Sequence, residues 1–249
     1  MAENHKIYAI FPVGGFGTRF AKMKFEEEKP FIECLGKTQI EWSIIAAKRN
    51  YPDCQIVIGS RSGLFNKFLE LKTNVLDHIY GTIEILDIGE STLGAASTLE
   101  IILQKLLTTN QDFSFISLDN DVAPLLEETF LFFTTDVGLF TTFSRNPGHS
   151  YLISNPKGEV LEIAEKIVIS NRGIIGNYYF SSAKSFLIEA ERTQWNNNER
   201  YISSVANQYL RDGYSVIAKK CDQVISYGTP EEIEKISNNQ MRILSGENH

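Results

Sequence analysis

The sequence Pro12-Val13-Gly14-Gly15-Phe16-Gly17-Thr18-Arg19-Phe20 decides the fold, together with the apolar run at residues 7–11 that leads into it. An apolar run of this length is typical of a buried first strand. Three glycines within four positions lack the Cβ atoms that keep a backbone away from a ligand. Their backbone N–H groups can therefore point into one concavity and hold a phosphate. The stretch predicts a strand followed by a phosphate-binding loop.

Two cations follow the glycines and suit the same phosphate. Arg19 carries a planar, permanently charged guanidinium, and Lys29 lies ten residues further on. The best-known phosphate loops do not fit, because a dinucleotide fingerprint would need glycine at Phe20 and a Walker A loop would need glycine at Phe31. The loop is a candidate nucleotide site, and a tight turn after a core strand is the alternative.

Strands and helices alternate along the first half of the chain. This alternation predicts a Rossmann-like α/β fold, a three-layer α/β/α arrangement with a mixed, mainly parallel central sheet. The predicted strands are 7–11, 55–59, 82–86 and 113–118, and the predicted helices are 39–48, 63–71 and 92–107. We expect a single domain over residues 1–249, with a nucleotide-binding half at 1–137 and an acceptor-binding half at 138–249.

The second half of the chain changes pattern, because its strands are joined by short turns such as the one at residues 155–158. These strands predict a C-terminal antiparallel extension of the same sheet. They lie at residues 139–144, 150–154, 159–166 and 174–180. Helices are expected at 183–192 and 201–211, short strands at 216–218 and 224–226, and a last helix begins at Pro230 with Thr229 as its cap.

Composition limits the classes of partner. The chain has 249 residues, a net charge of −7 and no basic block, so nucleic acid is not an expected partner. Cys34, Cys54 and Cys221 are far apart and show no metal-binding spacing, which indicates a reducing compartment. No signal peptide precedes residue 7 and no apolar run approaches the roughly 20 residues that span a bilayer. We therefore expect a cytoplasmic protein without a membrane partner.

Asp119 and Asp121 directly follow the apolar strand at residues 113–118. Ligands of such sheets collect at the carboxyl ends of the strands, so we expect these carboxylates to face the same crevice as Gly14. Two carboxylates separated by one residue can hold Mg²⁺ beside phosphate oxygens. An ordinary Asp-rich turn is the alternative.

Two further segments are weaker candidates. Lys166, after Glu165 at the end of a predicted strand, can reach a phosphate or can form a solvated ion pair. The small residues at 91–98 can let a flat base lie against the backbone, although such a run is also a common helix start.

Six segments, taken in order, resemble the sugar-1-phosphate nucleotidylyltransferases of the glycosyltransferase-A-like superfold, and most closely a capsule-biosynthesis branch. The resemblance covers residues 7 to about 236. The matching segments are 14–19, the spacing from Arg19 to Lys29-Pro30, 92–95, 119–121, 164–166 with 176–180, and 226–232.

The resemblance implies a Mg²⁺-dependent transfer, in which a phosphate oxygen of a small phosphorylated acceptor attacks the α-phosphorus of a nucleoside triphosphate and releases pyrophosphate. It implies that Arg19 and Lys29 are catalytic and that Asp121 binds the metal, while Asp119 stays a metal candidate from its position after the strand. The implied nucleotide-binding residues are Val13, Gly14, Gly15, Gly17, Thr18, Thr92, Gly94 and Ala95. The implied acceptor-binding residues are Glu165, Lys166, Gly176 and Asn177.

The chain departs from the family pattern at three positions. Ser226 stands where better-known members carry a second magnesium aspartate, and Asp119 or Asp222 is a candidate to replace it. Ile167 replaces a proline, and Leu93 stands where a polar residue is common. The base stays open among cytidine, thymidine and uridine, with a family-level preference for a pyrimidine.

Two other functions are compatible with the sequence. A GT-A-type glycosyltransferase would use Asp119 and Asp121 to hold a nucleotide-sugar through a metal, but it leaves Arg19 and Lys29 without a role. A nucleotide-binding regulatory module without catalysis is the other function, and Ser226 makes it conceivable. The released product, pyrophosphate or nucleoside diphosphate or neither, distinguishes the three functions.

Overall fold

A nine-stranded mixed sheet forms the centre of the protein in the computed structural model, which describes residues 7–15, 27–126, 134–195, 199–221, 223–236 and 240. The strands are β1 (Tyr8–Val13), β2 (Glu33–Cys34), β3 (Lys37–Thr38), β4 (Gln55–Ser60), β5 (Ile83–Asp87), β6 (Phe115–Ser117), β7 (Val122–Leu125), β8 (Val137–Phe143), β9 (Tyr151–Ser154), β10 (Val160–Ala164), β11 (Arg172–Phe180), β12 (Val216–Lys220) and β13 (Gln223–Ser226).

Helices cover both faces of this sheet. They are α1 (Gln39–Asn50), α2 (Ser62–Leu71), α3 (Asp77–Tyr80), α4 (Ala95–Leu107), α5 (Ala183–Arg192), α6 (Ile202–Arg211) and α7 (Pro230–Lys235), with a 3₁₀ turn at Lys29–Phe31 and a π turn at Lys72–Leu76. The core on one face includes residues of α1 and α2, and the core on the other includes residues of α4, α5 and α6. The predicted three-layer α/β/α fold is confirmed.

The sheet has a parallel half and a largely antiparallel half. Strand β1 pairs in parallel with β4 and β6, and β4 pairs in parallel with β5. Strand β11 then runs antiparallel to β6 and β8, and β9 and β10 extend the sheet beyond it. Strand β1 lies between two other strands with both faces covered, which is why its residues are apolar almost without interruption.

Strand β11 changes partner along its length, and this change helps to build the site. Gly173 pairs with Tyr151 of β9, whereas Tyr178 pairs with Ser117 of β6. The register shifts between these two regions, and Gly176 within them has φ +79°. A residue with a side chain would be strained at this φ, so glycine allows the strand to bend beside the carboxyl end of β6.

Several element boundaries differ from the sequence-based prediction. Helix α4 begins at Ala95 rather than at Thr92, because Gly94 has φ +135° and cannot belong to a helix. Strand β10 ends at Ala164, and Lys166 beyond it has φ +54°. Strand β7 was not predicted: it is four residues long, contains Pro124 and pairs with β13 outside the central sheet.

Among the residues that the structure describes, no helix has the length and apolar character needed to cross a bilayer.

Candidate active site

A cleft of about 150 Å³ opens beyond the ends of β1 and β6. Four of the predicted site residues line it, although they come from four separate segments: Ala95, Asp119, Glu165 and Gly176. Eight further residues complete its lining: Pro12, Ser117, Leu118, Ser150, Tyr178, Tyr201, Ile202 and Ser203. The cleft therefore combines residues from both halves of the chain.

Two carboxylates at this edge of the sheet rest against glycines. A Cβ atom added to Gly176 would lie 2.9 Å from Asp119 Oδ2, and one added to Gly228 would lie 2.9 Å from Asp121 Cγ. The backbone of Asp121 is held in place because its carbonyl accepts a hydrogen bond of 2.9 Å from the Tyr227 N–H. Each glycine thus leaves room for one carboxylate, and a larger residue would displace it.

Lys29 compensates part of the negative charge of these carboxylates. It belongs to the 3₁₀ turn, and its ammonium donates a hydrogen bond to Asp121 Oδ2. The Lys29 and Asp121 side chains are only 22% and 16% exposed, so solvent screens this ion pair less than a surface pair. The structure therefore places the predicted catalytic lysine directly beside the predicted metal ligand.

The carboxyl group of Asp119 titrates far above its ordinary range. Solvent reaches the side chain through the cleft, but the surrounding protein desolvates the carboxyl group, and this is the main cause that raises its pKa to about 7. Repulsion by Asp121 and a hydrogen bond with its carboxyl raise the pKa further, whereas Lys29 and the Asn120 N–H lower it. The pKa of Asp119 therefore lies well above the range that is usual for an aspartate.

The two carboxylates fit a magnesium ion that is shared with a substrate. Magnesium in phosphoryl-transfer sites is commonly held by one or two carboxylates together with substrate phosphates and water. Gly176 and Gly228 let the two carboxylates pack closely against the backbone, and the repulsion between Asp119 and Asp121 favours a cation here. Within the described ranges no group of three or more His, Cys, Asp and Glu side chains could hold a metal by itself.

The glycine-rich loop meets the segment around Thr92, and the sequence resemblance assigns both segments to the nucleotide. A Cβ atom on Gly14 would lie 2.9 Å from Thr92 Oγ1 and 2.5 Å from Thr98 Oγ1. Val13 is 6% exposed and belongs to the core, so it offers mainly its backbone, whereas Gly15 has no heavy atom within 4 Å of an added Cβ. The predicted residues Gly17, Thr18 and Arg19 lie outside the described residues.

The start of α4 is held by the loop that precedes α6. The Arg200 N–H donates to Leu93 O at 2.7 Å, and the Ala96 N–H donates to Arg200 O at 3.1 Å. A Cβ atom on Gly94 would lie 2.6 Å from Arg200 O, so only glycine allows this approach. The contact joins the two halves of the chain and presents Ala95 to the cleft.

One wall of the cleft is a hydroxyl and carboxylate network. Glu165 accepts hydrogen bonds from the hydroxyls of Ser150 and Ser203. Tyr178 lies against this group, and burial, followed by the charge of Glu165, raises the pKa of its phenol. The wall thus combines a carboxylate acceptor with neutral hydroxyls, a set that can bind the hydroxyl groups of a small polar molecule.

Lys166 and Asn177 lie at the edges of this arrangement. The Lys166 ammonium donates to the Tyr201 hydroxyl, lies 3.9 Å from the centre of its ring and is 3.7 Å from Glu199. Burial lowers the pKa of Lys166, but these partners outweigh it and the net shift is upward. Asn177 is 2% exposed and, with Asn50, lines a small cavity behind Asp119. Lys166 is thus at the rim of the cleft and Asn177 is behind it.

Ser226 lies close to the carboxylates. It ends β13 and pairs with Val122, the residue after Asp121. The position is therefore near the candidate metal site, but it offers a hydroxyl instead of a carboxylate. Asp222, the other candidate ligand, lies outside the described residues.

Several lining residues are not among the predicted site residues. Tyr178 could have been found, because side chains alternate along a strand and it lies two residues after Gly176. Tyr201 and Ser203 carry no local signal, since the packing of α6 against β10 brings them to the cleft, whereas Ser150 is placed beside Glu165 by the pairing of β9 with β10.

Comparison with known proteins identifies the fold. No protein-family model and no curated protein matches the chain. Among solved structures, the nucleoside-diphosphate-sugar pyrophosphorylase from Vibrio cholerae RC9 is similar with a TM-score of 0.80 and 20% sequence identity, over 91% of this chain and 98% of that chain. The fold is that of the sugar-phosphate nucleotidyltransferases.

Two other solved structures share this nucleotidyltransferase fold. The inositol-1-phosphate CTP transferase from T. maritima has a TM-score of 0.76 and 14% identity, over 98% of this chain and 96% of that chain. A UDP-glucose pyrophosphorylase complexed with UDP-glucose has a TM-score of 0.73 and 16% identity, over 96% of this chain and 99% of that chain. Similarity at these identities establishes the fold alone, so the activity is argued from the site.

Proposed function

We propose that this protein is a Mg²⁺-dependent nucleotidyltransferase that joins a nucleoside triphosphate to a sugar 1-phosphate or a similar small phosphorylated metabolite and releases pyrophosphate. The observation that carries the proposal is the cluster of Asp119, Asp121 and Lys29 at the edge of a cleft that Asp119 and Glu165 line. In this proposal residues 1–137 bind the nucleotide and residues 138–249 bind the acceptor.

The reaction requires little covalent chemistry from the protein. An acceptor phosphate oxygen forms a bond to the α-phosphorus, and the bond from that phosphorus to the bridging oxygen breaks, so pyrophosphate leaves with the electron pair. The attacking oxygen is already an anion, so no general base is needed. The enzyme must bring two polyanions together and stabilise the charge that moves to the leaving group.

The residues in and beside the cleft, together with the predicted loop residues, suit this task. Asp121 and Asp119 would hold Mg²⁺, which when bound supplies positive charge beside the phosphate oxygens. Lys29, which pairs with Asp121, would neutralise charge near the α-phosphate. The N–H groups of Gly14 and Gly15 would contact the triphosphate, and Arg19 would bind the departing phosphates.

The acceptor would lie along the wall formed by Glu165, Ser150 and Ser203. A carboxylate that already accepts hydrogen bonds from hydroxyls can accept them from a sugar in the same way. Lys166 would bind the acceptor phosphate after leaving the Tyr201 hydroxyl. Gly176 would allow close approach of the acceptor, and Asn177 would support that part of β11 from behind.

Finer assignments rest on the sequence resemblance and on the neighbouring structures. We propose a pyrimidine triphosphate as the nucleotide, and two of the structures with this fold are a CTP transferase and a UDP-glucose pyrophosphorylase. We also propose a cytoplasmic role in making a precursor of capsule or surface polysaccharide, because the sequence is most similar to that branch of the family.

The decisive experiment is a grid of nucleoside triphosphates against sugar 1-phosphates and other small phosphorylated metabolites. Pyrophosphate release is measured with Mg²⁺ and with excess chelator, and one pair is expected to give turnover that the chelator abolishes. Release of nucleoside diphosphate from a nucleotide-sugar would instead indicate the glycosyltransferase. Triphosphate binding without pyrophosphate release for every pair would indicate the regulatory module.

A further inference from the structure

A second concave surface, which we call the basic groove, lies at the ends of β8, β9 and β12 and the start of β11. It has a volume of about 820 Å³, within the usual range of ligand sites. It shares no lining residue with the candidate active site. The basic groove is therefore separate from the candidate active site.

The basic groove is the mouth of a closed ring of strands. Strand β12 pairs with β8, β8 pairs with β11, β11 pairs with β9, and β9 pairs with β10. A bridge between Glu159 and Ile217 closes the ring. The turn beside it is held on β12, because the Ala218 N–H donates to Gly158 O at 2.8 Å. The strands thus hold the groove in a defined shape.

The ionisable residues that line the basic groove all have the same sign. They are Lys157, Arg172, Lys219 and Lys220, and no carboxylate belongs to the lining. This excess of positive charge occurs in a chain with a net charge of −7. The acidic neighbour Glu159 accepts a hydrogen bond of 2.6 Å from the Asn155 amide. A concave surface lined by one sign of charge concentrates ligands of the opposite sign.

Of the four cations, Arg172 is the one that the structure holds in the best position to bind an anion in the groove. It is half-buried, and its Nε and Nη2 donate to Thr141 Oγ1 at 3.3 and 3.1 Å, while Nη1 donates to Ser154 Oγ. These acceptors are neutral hydroxyls, and in the part of the chain that the structure describes no carboxylate pairs with this guanidinium. A guanidinium has five N–H donors, so donors remain for an anion in the groove.

An aromatic surface adjoins these cations. Phe143 is 61% exposed and lines the groove, with Arg145 5.7 Å from the centre of its ring. Pro156 and Ile217 add further apolar surface to the lining. A ligand with both an anionic end and a flat apolar part would match this combination.

We propose that the basic groove binds a small phosphorylated molecule that carries a flat apolar group. The phosphate would bind Arg172 and Lys157, because a guanidinium fork matches phosphate oxygens in two places. The flat group would lie against Phe143. This site is separate from the candidate active site and does not depend on the proposed activity.

Phenyl phosphate and inorganic phosphate are suitable probes, and backbone amide NMR shifts report where each one binds. Both are expected to shift the amides of Gly158, Arg172 and Lys219 in a saturable way, and phenyl phosphate is expected to bind more tightly. Arg172→Gln should weaken both by about tenfold or more, since hydrogen bonds to charged groups contribute that much. Phe143→Ala should remove only the advantage of phenyl phosphate.

Arg211→Gln is the matched control, because Arg211 is exposed on α6 and does not line the groove, and this variant should bind as the parent does. Lys157→Gln is a second test if Arg172→Gln fails to fold, because Lys157 is an exposed turn residue, and it should weaken binding several-fold. The proposal is overturned if shifts occur only in the active-site cleft, or if Arg211→Gln weakens binding as much as the groove variants. It is also overturned if sedimentation shows that the chain is a dimer and neither probe shifts the amides of the groove.

Discussion

The candidate active site and the basic groove carry an excess of charge of opposite sign. In the active site two carboxylates, Asp119 and Asp121, lie together against glycines, and Lys29 compensates only part of their charge. In the groove Arg172 is held by hydroxyls and no carboxylate lines the surface. Gly176 and Arg172, four residues apart on β11, belong to the two different sites. The comparison teaches that one strand can contribute to two surfaces of opposite charge, for which we propose different ligands.

Substitutions in the two sites are expected to differ most in their effect on the rate of turnover. Asp121→Asn removes a carboxylate that we assign to the metal, and pyrophosphate release should fall by about 10²–10³-fold, as when one preorganised electrostatic contact is lost elsewhere. Arg172→Gln should leave turnover within about twofold of the parent. Steady-state pyrophosphate release at saturating substrates measures both, and equal losses in the two variants would contradict the separation of the sites.

Arg19→Ala tests the other side of the proposed nucleotide site. We expect turnover to fall by about 10²-fold, because the charge on the departing phosphates would lose its guanidinium partner. The thermal midpoint should not change, which differential scanning calorimetry can check. Near-normal pyrophosphate release would refute the assignment of Arg19.

Gly228→Ala tests whether space beside Asp121 is required. The added Cβ would lie 2.9 Å from Asp121 Cγ and should displace the carboxylate rather than unfold the chain. The Mg²⁺ concentration for half-maximal activity should rise by about tenfold, as expected when the support of a metal ligand is disturbed.

Gly148→Ala is the control for that variant. Gly148 is exposed in a loop, and the nearest atom to an added Cβ is the Asn146 side-chain oxygen at 3.2 Å. Its Mg²⁺ requirement should match that of the parent. An unchanged requirement in Gly228→Ala as well would show that Asp121 does not bind the metal.

The smallest expected effect is on the pH dependence of metal binding. The pKa of Asp119 is raised to about 7, so below that pH a bound Mg²⁺ must displace a proton. Mg²⁺ affinity should therefore fall by up to about tenfold between pH 8 and pH 6, a loss that calorimetric titration in two buffers can measure together with the released proton. Asp119→Asn should bind Mg²⁺ more weakly and should abolish this pH dependence, whereas a slope that persists in Asp119→Asn would assign it to another group.

Much of the fold was predictable because the parallel half depends on local patterns. Strands β1 and β4 are largely apolar runs, and α1 is capped by Thr38, whose hydroxyl forms a capping box with Glu41. Strand β7 was missed because a short segment with Pro124 has no strand pattern of its own and is stabilised only by β13.

The candidate site was predictable in part for the same reason. Asp119 and Asp121 follow a strand, and Gly14 follows another, so their common location could be inferred from parallel topology. Ser203 could not be inferred, because its contact with Glu165 spans 38 residues and depends on how α6 packs. The basic groove was also missed, since its four cations are scattered between residues 157 and 220.

The sequence by itself determined the α/β architecture and the chemistry of the strand ends, because periodicity, glycine content and residue order act over a few neighbours. Only the tertiary structure decided which charges meet: Lys29 with Asp121 across 92 positions, and Arg172 with hydroxyls instead of a carboxylate. The physical reason is that electrostatic interactions depend on distance in space, and the bend of β11 and the closure of its strand ring set those distances.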